Sequence, residues 1–101
     1  VRSVSVRELK AALDAGPANV VDVRAPEEYA EGHVPGAALM PLMTVPARMG
    51  ELPTEGPVYL VCAVGARSAQ AAQFLAAQGL DAVNVDGGTV EWAAAGYPLE
   101  R

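Results

Sequence analysis

Two kinds of apolar pattern alternate along the chain. One is the short uninterrupted block bounded by polar or turn residues, as in NVVDVR (19–24), PVYLVC (57–62) and DAVNV (81–85). Such blocks, rich in β-branched residues, read as buried strands, with PVYLVC the strongest. The other is a helical pattern. Ser68 to Gln78 is the strongest helix, closed by Gly79, with Ala71, Phe74 and Leu75 on one face by the i, i+3, i+4 rule. Ser5 to Glu8 (SVRE) has the form of a capping box, and predicts a helix to about Ala15 that stops at Gly16-Pro17. In APEEYAE, Pro26 suits a first helical position, acidic residues follow in the first turn, and Gly32 suits the far end. GHVPGAALMPL turns through Pro35-Gly36 into a further short strand, and TVPARMGELP is a brief helix or turn between prolines. The chain finishes with a DGG turn and the helix TVEWAAAG, ahead of Tyr97-Pro98.

Strands that alternate with helices imply right-handed crossovers. The expected fold class is α/β, a mainly parallel central sheet with helices on both faces. In such sheets ligands sit outside the carboxyl ends of the strands. That rule selects two places, Asp22 with Arg24 after one strand and Cys62 after another, both able to face one crevice.

With 101 residues the chain is expected to be a single domain, 1–101, large enough for a core without metal or disulfide support. Its 51% apolar and 19% charged content is that of a globular protein. One cysteine cannot form an internal disulfide, so folding needs no oxidising compartment. The mixed, charged start does not resemble a signal peptide, and no apolar run approaches a membrane span. Cytoplasm is the expected location and a monomer the expected state. The net charge of −5, with seven basic residues that do not cluster, argues against nucleic acid or an anionic membrane as partner. It also means that any small anionic substrate must be attracted locally. One Cys and one His offer too few soft ligands for a metal, and no cofactor is expected.

The candidate chemistry lies in CAVGARS (62–68). Gly65 can adopt the positive φ a tight loop needs. If Ala63, Val64, Gly65 and Ala66 curl around the Cys62 sulfur, their amides form an anion-binding nest at a helix start, with Arg67 at the rim. Making a free thiol mostly thiolate at neutral pH needs about two pKa units, roughly 2.7 kcal/mol. A helix dipole supplies about 0.3–1 kcal/mol, so hydrogen bonds from loop amides, about 1.5–3 kcal/mol to a charged group, must supply the rest. Against this stands the reading of Cys62 as a buried structural cysteine, which the apolar VYLVC supports equally well.

Three blocks, VVDVRAPEEYAEGHVPGA (20–37), VYLVCAVGARSAQAA (58–72) and VDGGTVEWAAAGYPL (85–99), together resemble the rhodanese-like domain family. The resemblance implies a rhodanese-like fold and sulfurtransferase chemistry, with Cys62 the persulfide-carrying catalytic cysteine and Cys62 to Arg67 the active-site loop. It implies a small sulfur donor such as thiosulfate, and a thiol or protein acceptor. Arg67 either attracts the donor or braces the loop through a carboxylate such as Asp22. Arg24 either helps to bind the donor or, on the simpler reading, forms a salt bridge at a strand end. Ser68 and Asp22 are supporting residues, and His33 in GHVPGA is expected to hold a turn by hydrogen bonds. Tyr29 and Trp92 are expected in or beside the core, Met40, Met43 and Met49 as gap fillers, and Gly87-Gly88 as a turn.

Two other functions use the same residues. A carrier or interaction module would receive sulfur from a partner protein and turn over small donors poorly. A cysteine phosphatase would also place Cys and Arg around a helix start. Here only four residues separate Cys62 from Arg67, one fewer than in those enzymes, which suits a single sulfur atom better than a phosphoryl group.

Overall fold

A computed structural model describes residues 1–101 as ten regular elements. The strands are β1 (Arg2–Val4), β2 (Asn19–Asp22), β3 (Ala38–Leu39), β4 (Val58–Val61) and β5 (Ala82–Val85). The helices are α1 (Val6–Ala15), α2 (Pro26–Glu31), α3 (Val45–Arg48), α4 (Ala66–Ala77) and α5 (Gly88–Ala94). Two 3-10 turns, Leu42–Thr44 and Met49–Glu51, flank α3. The strands form one sheet in the order β1-β5-β4-β2-β3, and every adjacent pair is parallel.

Alternation along the strands separates two cores. Val21 and Val23, with Val58, Leu60 and Cys62, face Ala71, Ala72 and Leu75 of α4 on one side. Val20, Val61 and Val85 face Val6, Leu9 and Trp92 on the other, together with Val34 and Ala37. Each such aliphatic side chain contributes about 1.5–3 kcal/mol on full burial, so both faces of β4 are committed to packing. The strand therefore holds Cys62 firmly at its carboxyl end.

Local chemistry sets the element ends. Ser5 Oγ accepts from the Glu8 amide at 3.1 Å and Glu8 Oε1 accepts from the Ser5 amide at 3.0 Å, which completes the capping box. Trp92 is buried, its indole N–H donating to the Pro98 carbonyl at 2.7 Å.

Two expectations need correction, and one strand is not among those expected. Arg2–Val4, ahead of the first element read from the sequence, forms the edge strand beside β5. The main helix starts at Ala66 rather than Ser68, since Gly65 makes the turn with φ +106°. Met40 is buried and Met49 packs against the core, but Met43 stands in solvent, 90% exposed, and fills no gap. No helix is long and apolar enough to cross a membrane.

Candidate active site

The strand order reverses between β2 and β4, since β2 is followed outward by β3 and β4 by β5 in the opposite direction. The crevice at such a switch point is where open α/β sheets bind ligands. Cys62 leaves the end of β4 there, and Asp22 to Arg24 leave the end of β2.

The loop after β4 wraps the sulfur. The Gly65 amide lies 3.1 Å from Cys62 Sγ, the Ser68 amide 3.3 Å and the Ser68 hydroxyl 3.3 Å. Glycine permits the left-handed turn at position 65 that directs its own amide inward. The carbonyls of the loop point the other way. Cys62 O accepts from the Thr89 amide at 2.9 Å and hydroxyl at 3.2 Å, while Ala63 O accepts from the Val90 amide at 3.0 Å. The N-terminus of α5 thus satisfies the outside of the loop while the amides face the sulfur. Gly88 makes this contact possible: a Cβ there would sit 2.2 Å from the Cys62 oxygen and 2.6 Å from that of Ala63. The DGG segment is therefore more than a turn, because it supports the loop.

Burial of Cys62, 1% exposed, pushes its thiol pKa up. The Ser68 hydroxyl, when its proton turns to the sulfur, and the amides of Ser68, Gly65 and Val64 outweigh that and bring the pKa below its ordinary value. The hydrogen bonds to the sulfur therefore act against burial and in the direction that favours a thiolate.

Of the remaining loop residues, Val64 is 63% exposed and marks the mouth, Ala66 is exposed at the first turn of α4, and Ala63 is half-buried. Arg67 does not meet Asp22. Its guanidinium grips Glu28 of α2 by two hydrogen bonds, Nη1 to Oε1 at 2.8 Å and Nη2 to Oε2 at 2.9 Å. Asp22 is already engaged by Arg24, whose Nε lies 3.0 Å from both carboxylate oxygens and whose Nη2 lies 2.8 Å from Oδ2. Arg24 also donates to the Gly32 carbonyl at 2.8 Å and is buried, so it makes the strand-end ion pair of its two readings.

His33 is held by structure on all sides. Its ring stacks on Tyr29 with centroids 3.6 Å apart, its Nδ1 lies 2.9 Å from the Tyr29 carbonyl, and its backbone pairs with Glu100. A carbonyl only accepts, so Nδ1 carries the proton. The Tyr29 hydroxyl donates to the Ala37 carbonyl, and burial beside Asp22 and Glu100 raises its pKa.

Two side chains in contact with the loop and its helix are not apparent in the sequence. Glu28 reads there only as a first-turn carboxylate of α2. Asn84 in β5 accepts from the Ser68 hydroxyl at 2.6 Å and donates to Asp86 at 3.0 Å, although DAVNV reads simply as a strand.

The fold and site thus define a parallel α/β sheet whose one cysteine lies at the switch point with loop amides directed at its sulfur. Residues 5–95 match the rhodanese-like domain family, and the chain belongs to it. It is 42% identical over 81 residues to a protein of Allochromatium vinosum named sulfurtransferase, an alignment covering 79% of this chain and 76% of that one. It is 35% identical over 94 residues to the putative sulfur carrier protein YrkF of Bacillus subtilis, covering 91% of this chain and 51% of that longer protein. Among solved structures, a rhodanese-like domain protein of Staphylococcus aureus superposes with a TM-score of 0.86 at 42% identity, covering 91% of each chain.

Proposed function

We propose that this protein transfers sulfane sulfur through a persulfide on Cys62. Sulfur transfer in general is supported by membership of the family and by the names of the relatives. The observation that carries the residue assignment is the convergence of the Gly65 and Ser68 amides on Sγ at 3.1 and 3.3 Å. In the first step the Cys62 thiolate attacks the outer sulfur of a donor such as thiosulfate. A new S–S bond forms, the donor's S–S bond breaks, and sulfite leaves with the bonding pair. The persulfide keeps one negative charge, which the loop amides stabilise as they do the thiolate. A thiophilic acceptor, cyanide in an assay or a thiol, then takes the outer sulfur and returns Cys62 as thiolate.

A second reading, a carrier loaded by a protein partner, is favoured by the state of Arg67. Its guanidinium is committed to Glu28, so no free cation meets a dianion at the mouth of an acidic chain. Phosphatase chemistry is disfavoured by the same loop, which places only four residues between Cys62 and Arg67.

Intact mass of the reduced protein after thiosulfate, and again after cyanide, tests the proposal beside Cys62→Ala. One sulfur atom gained on Cys62 and removed by cyanide is expected. No gain from thiosulfate, with gain from a persulfidated protein donor, would select the carrier reading. No gain from either would overturn both.

A further inference from the structure

Ser68 has a single hydroxyl proton and two acceptors within reach. Its Oγ lies 2.6 Å from Asn84 Oδ1 and 3.3 Å from Cys62 Sγ. Which acceptor receives the proton depends on how the Asn84 amide is turned, and Asp86 decides that. Asn84 Nδ2 donates to Asp86 Oδ1 at 3.0 Å; the reverse orientation would set a carbonyl oxygen against a carboxylate. With the amide fixed, Oδ1 faces Ser68, and a separation of 2.6 Å between two oxygens requires the hydroxyl proton between them. The Ser68 oxygen then turns a lone pair toward the sulfur.

That arrangement suits a thiol. Sγ–H can donate to Ser68, Ser68 to Asn84, and Asn84 to Asp86, so each donor in the chain has an acceptor. It does not suit a thiolate, which must compete with Asn84 for the same proton. The amides of Gly65 and Ser68 are unaffected, because neither has another partner to choose. Ser68 and Asn84 are buried while Asp86 is exposed, so an exposed carboxylate acts on the sulfur through two buried side chains.

We propose that Asn84, locked by Asp86, is a positioning residue that competes with the Cys62 sulfur for the Ser68 hydroxyl proton and so restrains ionisation of Cys62. Its consequence for sulfur transfer rests on the function proposed above; the competition itself does not. The purpose of such restraint follows from thiol chemistry: nucleophilicity falls with pKa, so an over-stabilised thiolate attacks slowly.

The charged and titratable groups around the loop are Arg67 on α4, Glu28 and Tyr29 on α2, Asp22 and Arg24 at the end of β2, Asp86 after β5 and Glu91 on α5. The test must therefore separate the hydrogen bond from the charge of Asp86. The rate of iodoacetamide alkylation against pH gives the thiol midpoint in the wild type, Asp86→Ala, Asp86→Asn, Ser68→Ala and the double variant Ser68→Ala/Asp86→Ala. In Asp86→Ala the Asn84 amide is free to turn Nδ2 to Ser68, whose proton passes to the sulfur. The midpoint falls, with about three- to tenfold more thiolate below it. In Asp86→Asn the new amide oxygen still accepts from Asn84, so the midpoint stays near that of the wild type although the charge is gone. With Ser68→Ala in place, Asp86→Ala shifts nothing further. Equal shifts in Asp86→Ala and Asp86→Asn, a shift that persists without Ser68, or no shift in Asp86→Ala would each overturn the proposal. Failure of sulfur loading with these shifts intact would overturn the sulfur-transfer reading alone.

Discussion

Arg67 and Glu28 stand 39 positions apart and meet through two parallel hydrogen bonds of 2.8 and 2.9 Å. The pair joins the helix that follows β4 to the helix that follows β2, beside the loop that wraps Cys62. Glu28 also accepts from the Ala25 amide at 3.1 Å, so one carboxylate caps α2 and holds Arg67 at the start of α4. Arg67 thereby acts as a brace, and its charge is largely neutralised where a donor would arrive.

If this neutralisation limits anion binding, thiosulfate should bind weakly, with a KM of about 1 mM or above, at the upper end of ordinary values. Glu28→Gln keeps a cap for Ala25 and releases the guanidinium. The expected result is a lower KM for thiosulfate at low ionic strength, with the advantage shrinking as salt is added. Steady-state cyanide assays across a salt series check it, and a wild-type KM in the low micromolar range would contradict it.

The same pair predicts a pH dependence of stability. Arg67 holds the Glu28 carboxyl at about 2, below its ordinary value of 4.5. A carboxylate with a depressed folded pKa stabilises the fold above its unfolded pKa, and that contribution disappears as pH falls from about 4.5 through about 2. Both side chains are partly exposed, so the expected size is about 1 kcal/mol or less. Urea unfolding of wild type and Glu28→Gln should differ at neutral pH and converge across that acidic interval.

Gly65→Ala strains a backbone at φ +106° and disturbs the amide that lies 3.1 Å from Sγ. A non-glycine residue held in such a conformation costs about 1–3 kcal/mol. The thiol should titrate at higher pH than in the wild type, and sulfur loading near neutrality should slow. Alkylation rates against pH report the first effect and intact mass the second. An unchanged midpoint would show that this amide does not stabilise the thiolate.

Gly88→Ala acts from the other side of the loop. The new methyl would occupy space now taken by the Cys62 and Ala63 carbonyls, at a residue with φ +54°. Relief requires α5 to withdraw from the loop, so a loss of about 2–4 kcal/mol is expected in denaturant unfolding, in the range that marks backbone strain and overpacking. Disturbed Cys62 reactivity should accompany it, even though residue 88 does not touch the sulfur.

Features of the fold encoded over a few residues are legible in the sequence. The Ser5–Glu8 capping box, the strands through Val21 and Leu60, and the loop of Cys62 all depend on near neighbours. The edge strand Arg2–Val4 is not legible, because VRSVS carries little apolar signal and is ordered only by pairing with Val83 to Val85. The start of α4 misleads for a chemical reason. Ser68 is a favourable cap residue by type, but its amide and hydroxyl face Cys62 and Gly65 makes the turn instead. The partner of Arg67 is hidden by distance along the chain: Asp22 sits at the neighbouring strand end, yet Arg24, two residues on, already occupies it.

Carbonyls turned outward to α5 and amides turned inward to the sulfur give the loop a polarity belonging to peptide planes rather than to side chains. Ala63, Val64 and Ala66 contribute no charge, so around the sulfur itself the loop presents backbone amides to an anion. That polarity is set by backbone contacts with α5, and the net charge of −5 carried by the side chains leaves the direction of the amides unchanged.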